Sequence, residues 1–328
     1  MIAVSYHNTV NDLQGLAFAG RGPFARAEWF ALLETAGTKP LVALARDGSE
    51  ALALPLAAAK NGLEALSNWY AFTWSDLATS GAGRETLLAR LARDLPARTG
   101  RVTLTKLPDE DGTATRLEQA FRRAGWLVLR EACDTNHALR VDGRSYAEYL
   151  AGRPGSLRTT LKRKAKKVEV QIQTAFSSHG WESYERIYAA SWKPEEGDPT
   201  LLRRFAEAEG QAGRLRLGLA RHAGVVVAAQ FWTVEDGTAW IHKLAHLESA
   251  RPLSAGTTLS AALFEQVIDR DGVAWVDFGT GDDPYKRDWM EQVRPRFRLT
   301  CLRPGDPRNW PTLVRALARK LVSPFAAG

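Results

Sequence analysis

WIHKLAHLESARPLSAGTTLSAALFEQVIDRDGVAWVDFGTGDDPYKRDWM, residues 240–290, decides how the chain is read. It reads as a strand, a turn of small residues, an amphipathic helix over about 256–270, a second strand, and a turn ending in Tyr285 and Lys286. The first turn of any helix has backbone amides without intrahelical partners, so it attracts anions such as a pyrophosphate. Ser254, Ala255, Gly256, Thr257 and Thr258 keep side chains small there, which lets a ligand approach the backbone. Arg251, just before the turn, adds a cation. On these residues alone an ordinary strand–turn–helix connection reads the same way.

Charge narrows the choice. The 328 residues allow two domains or one large one, and 45% apolar with 25% charged residues is ordinary for a globular protein. The net charge of +7 has an address. Arg153, Arg158, Lys162, Arg163, Lys164, Lys166 and Lys167 lie within fifteen residues that hold no acid; without them the chain is neutral. A local cationic run favours a local anionic partner, cofactor phosphates or an acidic membrane surface, over a nucleic-acid binder. No aromatics interleave with the cations, which also speaks against single-stranded RNA. Ser156 is placed to cap a helix here, Leu157 and Leu161 to share one side, and Arg158, Lys162 and Lys166 to stack on the adjacent face. Cys133 and Cys301 are too few and too isolated for a metal site and point to a reducing compartment. Residues 1–20 read poorly as a signal peptide, and the most apolar stretch, 41–59, is broken by Arg46, Asp47 and Glu50. The expectation is a cytoplasmic protein, with peripheral attachment to the inner membrane as its furthest extent.

Around this centre the chain alternates helices and strands. Residues 23–35 predict a helix, and 40–46 and 50–58 a hairpin about Asp47-Gly48. Trp69, Tyr70, Phe72 and Trp74 read as packing, 84–95 and 113–124 as helices, and 102–106, 126–130 and 136–141 as strands. No nucleophile, base and orienting group fall at an interpretable spacing in this half. Past the basic run come a strand at 168–176, helices at 180–191 and 198–211, and a three-stranded meander over 214–247 turning at His222-Ala223-Gly224 and Glu235-Asp236-Gly237. Residues 296–302 add a strand. In the tail, 309–321, Trp310, Leu313, Val314, Leu317 and Leu321 face one way and Arg315, Arg319 and Lys320 the other. That helix caps a core or lies in a membrane interface.

The order strand, two helices, meander, helix from a small-residue turn, strand, helix, strand resembles the GNAT acyltransferase fold, an α/β (α+β) mixed sheet. Residues 145–303 resemble its FemAB-like branch, often labelled CelD or BcsL. The resemblance rests on Leu157-Arg158-Thr159-Thr160-Leu161-Lys162-Arg163-Lys164, Trp192-Lys193, Val227-Ala228-Ala229-Gln230, Ile241-His242-Lys243-Leu244-Ala245, and Asp277-Phe278-Gly279 continuing to Tyr285-Lys286. It implies two GNAT-like domains in tandem: a degenerate one over 1–142, an acyl-CoA-binding one over 143–308, and an amphipathic helix over 309–328. No repeat is visible at residue level. The family's pyrophosphate turn falls at 251–257 and departs from the usual Gln/Arg-x-x-Gly-x-Gly/Ala wording, with Ser254 where a glycine is expected. Residues 198–211 are far too short for the coiled-coil arm of the tRNA-dependent branch.

The resemblance implies N-acyl transfer from acyl-CoA, a co-substrate rather than a tightly bound cofactor, to an amine. It extends to bacterial ceramide synthases, so the expected acceptor is a sphingoid base. A polysaccharide or amino-sugar precursor, or a non-catalytic assembly role, are the alternatives. Attack on a thioester needs a neutral amine, so a base must take a proton. His242 is the first candidate because histidine titrates near neutrality. Asp277 is an alternative base or orienting group, and the resemblance assigns Tyr285 the departing thiolate. Arg251, Ser254, Ala255, Gly256, Thr257 and Lys286 are expected at the cofactor phosphates. Lys243, Arg158, Lys162 and Lys166 are expected at a substrate or anion. His246 is expected on the strand face of His242, too far along it to share a metal.

Overall fold

The computed structural model describes residues 1–20 and 22–322, and the chain divides into two units, 1–134 with 295–328, and 135–294. In the first unit Pro40–Asp47, Glu50–Ala59 and Gly62–Ala65 form an antiparallel meander, with Ala3–His7 on its outer edge. Helix Arg84–Asp94 then crosses over, and Arg101–Leu107 returns parallel to Gly62–Ala65. Helix Thr113–Arg123 leads into the long strand Leu127–Arg140. Leu52, Leu54, Leu56, Leu88, Leu91 and Phe121 are buried between sheet and helices.

Two expectations change here. The helix foreseen over 23–35 is broken at Arg26, whose backbone is extended, so a short turn at Pro23–Ala25 precedes helix Ala27–Thr35. The strands foreseen at 126–130 and 136–141 are one strand. Of the aromatic group, Tyr70, Phe72 and Trp74 are buried and Trp69 is exposed.

The second unit repeats that order of elements. Leu215–His222, Val225–Glu235 and Thr238–His246 form the meander, with Glu169–Gln173 on its outer edge. The turns at 223–224 and 236–237 place both central residues at positive φ, the geometry that matches strand twist in two-residue hairpins. Helix Ala255–Glu265 crosses over, and Trp275–Thr280 returns parallel to Thr238–His246. A short helix, Pro284–Trp289, then leads to strand Gln292–Leu302. Residues 136–140 of the long strand pair antiparallel with Trp275–Thr280 in this unit, while 297–302 pair with Arg101–Leu107 in the first.

The second unit's sheet is covered on both faces. Consecutive residues of a strand point to opposite sides, and Phe231 and Trp232 show it. Phe231 meets Trp181 and Phe205 of helices Ser178–Ala189 and Pro199–Gln211. Trp232 meets Phe264 of the crossover helix, which also stacks on Trp289 and Tyr149. Gly218 lets that helix sit close, since a Cβ there would come within 2.9 Å of Leu259 and Leu263. The helix predicted to 270 changes pitch at Glu265; residues Gln266–Arg270 form a π-helical turn, beyond which Asp271 takes a bidentate bond from Arg216. In helix Trp310–Val322, Trp310 and Val314 are exposed, so a core-capping role does not hold at those positions. The side chains of 317 and 319–322 lie outside the described residues, as do 323–328.

Candidate active site

The cavity of the second unit that adjoins the crossover helix holds about 540 Å³. The start of helix Ala255–Glu265 closes one end. Gln230, buried in the neighbouring strand, fixes that start by donating from Nε2 to the Gly256 carbonyl (3.1 Å) and the Ser260 hydroxyl (2.8 Å). Ser254 precedes the helix in the left-handed region (φ 54°, ψ 39°), turning the chain so that the first amides are presented. Its side chain does not cap the helix; its Oγ accepts from Lys164 Nζ at 3.2 Å. Arg251, Ser254, Ala255, Gly256 and Thr257 all line the cavity. Positive backbone ends, Arg251 and Lys164 therefore converge, an anion seat of the phosphate type.

Lys164 was hidden in the basic run, yet its spacing places it. Leu157, Leu161 and Lys164 fall at i, i+4 and i+7 of helix Gly155–Lys164, one face, and both leucines are buried. The lysine follows them inward. Arg158 and Lys162 face solvent instead. The expected stack ends before Lys166, because the helix stops at Lys164 and Ala165–Lys167 is a tighter turn. Ser156 lies inside this helix and caps nothing; Pro154 occupies the cap position.

The opposite wall supplies groups for proton transfer. His246 lines the cavity, its ring 4.3 Å from that of Trp192 and close to Gly256, where a Cβ would come within 3.2 Å. Its Nδ1 lies 3.0 Å from the Leu247 carbonyl, which can only accept. Nδ1 therefore carries the proton and Nε2 keeps its lone pair in the neutral ring. Tyr285 also lines the cavity, packed edge-on against Phe278. Burial raises the affinity of its hydroxyl for the proton, and Asp283 adds to the effect.

Other expected residues stand elsewhere. His242 was expected to share a face with His246; a bulge separates them. Ile241 opposes Trp232 and Lys243 opposes Phe231, so His242 is the extra residue and the alternation slips by one. His242 stacks on Phe231, meets Phe205 edge-on and bonds Thr233 at 2.8 Å, all away from the crossover helix. Asp277 accepts from Asn136 Nδ2 (2.7 Å) and from the Gly279 amide (2.8 Å). Lys286 is buried and donates to the carbonyls of Thr280 (2.5 Å) and Gly281 (3.2 Å), tying the loop before Tyr285 rather than meeting the anion seat. Lys243 pairs with Glu196 at 3.0 Å. Thus five expected cofactor-binding residues and Tyr285 come together. His242, Asp277, Lys243 and Lys286 do not join them; His246 and Trp192 do, and Lys164 reaches them through its bond to Ser254.

Residues 155–287 match the acetyltransferase (GNAT) domain family. No curated protein matches the sequence. Among solved structures, FemX aligns at TM-score 0.63 and 9% identity over 90% of this chain and 96% of its own. The C-terminal domain of a putative lysylphosphatidylglycerol synthetase from Agrobacterium fabrum aligns at 0.60 and 11% over 93% and 94%. A conserved protein of unknown function from Bacteroides thetaiotaomicron aligns at 0.61 and 10% over 92% and 100%. At these identities the likeness concerns the fold, which is the mixed α/β GNAT fold. The matched domain makes the chain an N-acyltransferase, of a class that takes its acyl group from acetyl- or acyl-CoA as co-substrate and holds no resident cofactor.

Proposed function

We propose that the second unit binds acyl-CoA with its pyrophosphate on the first turn of helix Ala255–Glu265 and transfers the acyl group to an amine under general-base catalysis by His246. One observation carries this reading: Ser254 and Arg251 of the anion seat and the pair His246 and Tyr285 line one cavity, with Lys164 bonded to Ser254 behind it. The amine nitrogen attacks the thioester carbonyl; a C–N bond forms and the C–S bond breaks. Of the two protons an ammonium loses, one goes to His246 Nε2 and the other to the departing sulfur. Tyr285, held protonated, donates a hydrogen bond to that sulfur.

The order of elements in the first unit supports reading 1–142 as a degenerate copy of the same fold. For the acceptor, the lipid form of the reading is a sphingoid base acylated by a long-chain acyl-CoA at a membrane surface. The exposed Trp310 and Val314 on a basic helix favour it, although no helix among the described residues is long and apolar enough to cross a membrane. The test is calorimetric titration with acyl-CoAs of increasing chain length, followed by mass-spectrometric detection of amides with sphinganine and with small amines. Failure of every acyl-CoA to bind would overturn the reading. Binding of acetyl-CoA alone would remove its lipid form.

A further inference from the structure

The basic helix that reaches the cavity just described has a second face. Leu157 lines the cavity and Lys164 bonds Ser254, so one side of Gly155–Lys164 belongs to the anion seat. Arg158, Lys162 and Arg163 lie on the other side and are exposed, as are Lys166 and Lys167 of the turn that follows. Arg158 donates to the Arg153 carbonyl at 3.1 Å. Lys162, Arg163, Lys166 and Lys167 make no side-chain hydrogen bond or ion pair with any described residue. Four cations held together without a counter-charge repel one another, and an anionic surface relieves that repulsion.

A hairpin tip extends the same face. His222 places Nδ1 2.8 Å from the Lys167 carbonyl, and since a carbonyl only accepts, the ring nitrogen donates. His222 stands opposite Val225 across the tip, and Val225 is 61% exposed. An apolar side chain is thus one ladder step from the cations. Glu169, the nearest carboxylate along the chain, stands opposite Arg221, so the tip brings a cation to the one acid of the patch. Exposed cations beside an exposed aliphatic group have the chemistry of a contact with anionic lipid. The cations meet headgroup phosphates while the aliphatic group enters the boundary beneath them. A nucleic acid would leave Val225 without a role, and no aromatic residue stands between Arg153 and Lys167 to stack a base.

Resting on the lipid form of the acyl-transfer reading, we propose that this face docks the second unit on an anionic phospholipid surface. Lys162, Arg163, Lys166 and Lys167 supply the attraction, and Val225 stands at the contact. The same helix carries Leu157 and Lys164 on its other side. Docking therefore brings the wall of the donor cavity within one helix diameter, about 10 Å, of the lipid.

Co-sedimentation of the full chain with vesicles tests this, using phosphatidylcholine alone and equal parts phosphatidylcholine and phosphatidylglycerol. The mixed vesicles bind about a hundredfold tighter at low salt, and the preference fades as salt rises. Lys162→Gln, Arg163→Gln, Lys166→Gln and Lys167→Gln together abolish the preference and leave acyl-CoA affinity without vesicles unchanged. Val225→Ser weakens binding to mixed vesicles several-fold. Thermal melting checks the fold of these variants, which change exposed positions only. Equal binding to both vesicles overturns the proposal. So does a preference that survives in the quadruple variant, or one lost instead in Trp310→Ser with Val314→Ser, which gives docking to the last helix. Acyl-CoA affinity lost in the quadruple variant with vesicle binding kept returns the cations to the coenzyme and also overturns it, as does tighter binding of an oligonucleotide than of mixed vesicles. Release of the coenzyme thiol separates the two readings. Vesicle binding through the four cations with no transfer to any amine keeps the docking face and removes acyl transfer. Amide formation with sphinganine in detergent and no vesicle binding keeps transfer and removes the face.

Discussion

The two units run through the same order of strands and helices, yet only one leaves its crossover helix open at the start. In the second unit the turn before helix Ala255–Glu265 faces a cavity and collects Arg251 and Lys164. In the first unit the turn before helix Arg84–Asp94 reads Ser80-Gly81-Ala82-Gly83, richer in glycine, and its cradle is filled from within. A Cβ on Gly81 or Gly83 would collide with the carboxylate of Glu50, from the neighbouring strand. The chain's own carboxylate lies against both glycines of that turn. Small residues ahead of a helix therefore provide a cradle, and what fills it is decided by a residue far away in sequence.

The units also differ in their buried charges. Asp76 of the first is fully buried and takes a bidentate bond from Arg84 at 2.9 Å for each contact. Burial works against the charge on Arg84, and Asp76 more than restores it, so the guanidinium ends above its ordinary value. In the second unit Glu196 fails to restore Lys243. One pair ends with its cation holding the proton more tightly than usual, the other less tightly.

The sharpest way to break this contrast is at the histidines. His246→Gln is expected to lower turnover by about 10²-fold or more with acyl-CoA affinity unchanged, whereas His242→Gln should lose about 1 kcal/mol of stability and keep turnover within a few-fold. Steady-state kinetics and urea unfolding of both variants decide it; the reverse pattern would move the chemistry to the other face of the strand. Next in size, Arg251→Ala and Lys164→Ala should each weaken acyl-CoA binding about tenfold, less at high salt. Glu50→Ala should leave the stoichiometry at one acyl-CoA per chain, and a second equivalent in calorimetry would show that the first unit is only blocked.

A smaller effect tests that difference. Replacing the pair together, Lys243→Met with Glu196→Leu, should leave stability unchanged or raise it by about 1 kcal/mol, because a poorly matched buried pair is replaced by packing. Urea midpoints would show it, and a clear loss would mean the pair supports the fold as Arg84 and Asp76 do. Smallest is a dependence on pH. Folded Lys243 sheds its proton near 8, with Glu196, Tyr188 and Lys193 around it, while an unfolded lysine holds its proton to about 10.4. The unfolded chain then binds more protons between those values, so stability relative to the double variant should rise as pH climbs through that window. A flat difference would show that Lys243 is not depressed.

Periodicity disclosed the meander and the crossover helix, and small residues marked the turn before that helix, because both are local signals. The repeat of the two units was invisible to residue comparison and plain in the order of elements. His246 was lost to a single extra residue: the bulge at His242 leaves no mark in a pattern of alternating burial, and it decides which side chains reach the cavity. Lys164 was readable from its spacing to Leu157 and Leu161 but was masked by six other cations. The Lys243–Glu196 pair spans 47 residues of sequence, beyond any local pattern.

Ser254 holds a backbone angle that glycine adopts freely, at a cost on the order of 1 kcal/mol for a residue with a Cβ. Ser254→Gly would relieve that cost in the folded chain and return about the same amount as disorder in the unfolded one. The exchange should be nearly silent on a melting curve. Its effect would appear in the occupied state, since Lys164 would lose the hydroxyl it holds and the turn its rigidity. A screen for destabilising substitutions would pass over this position, and a screen for lost ligand binding would stop at it.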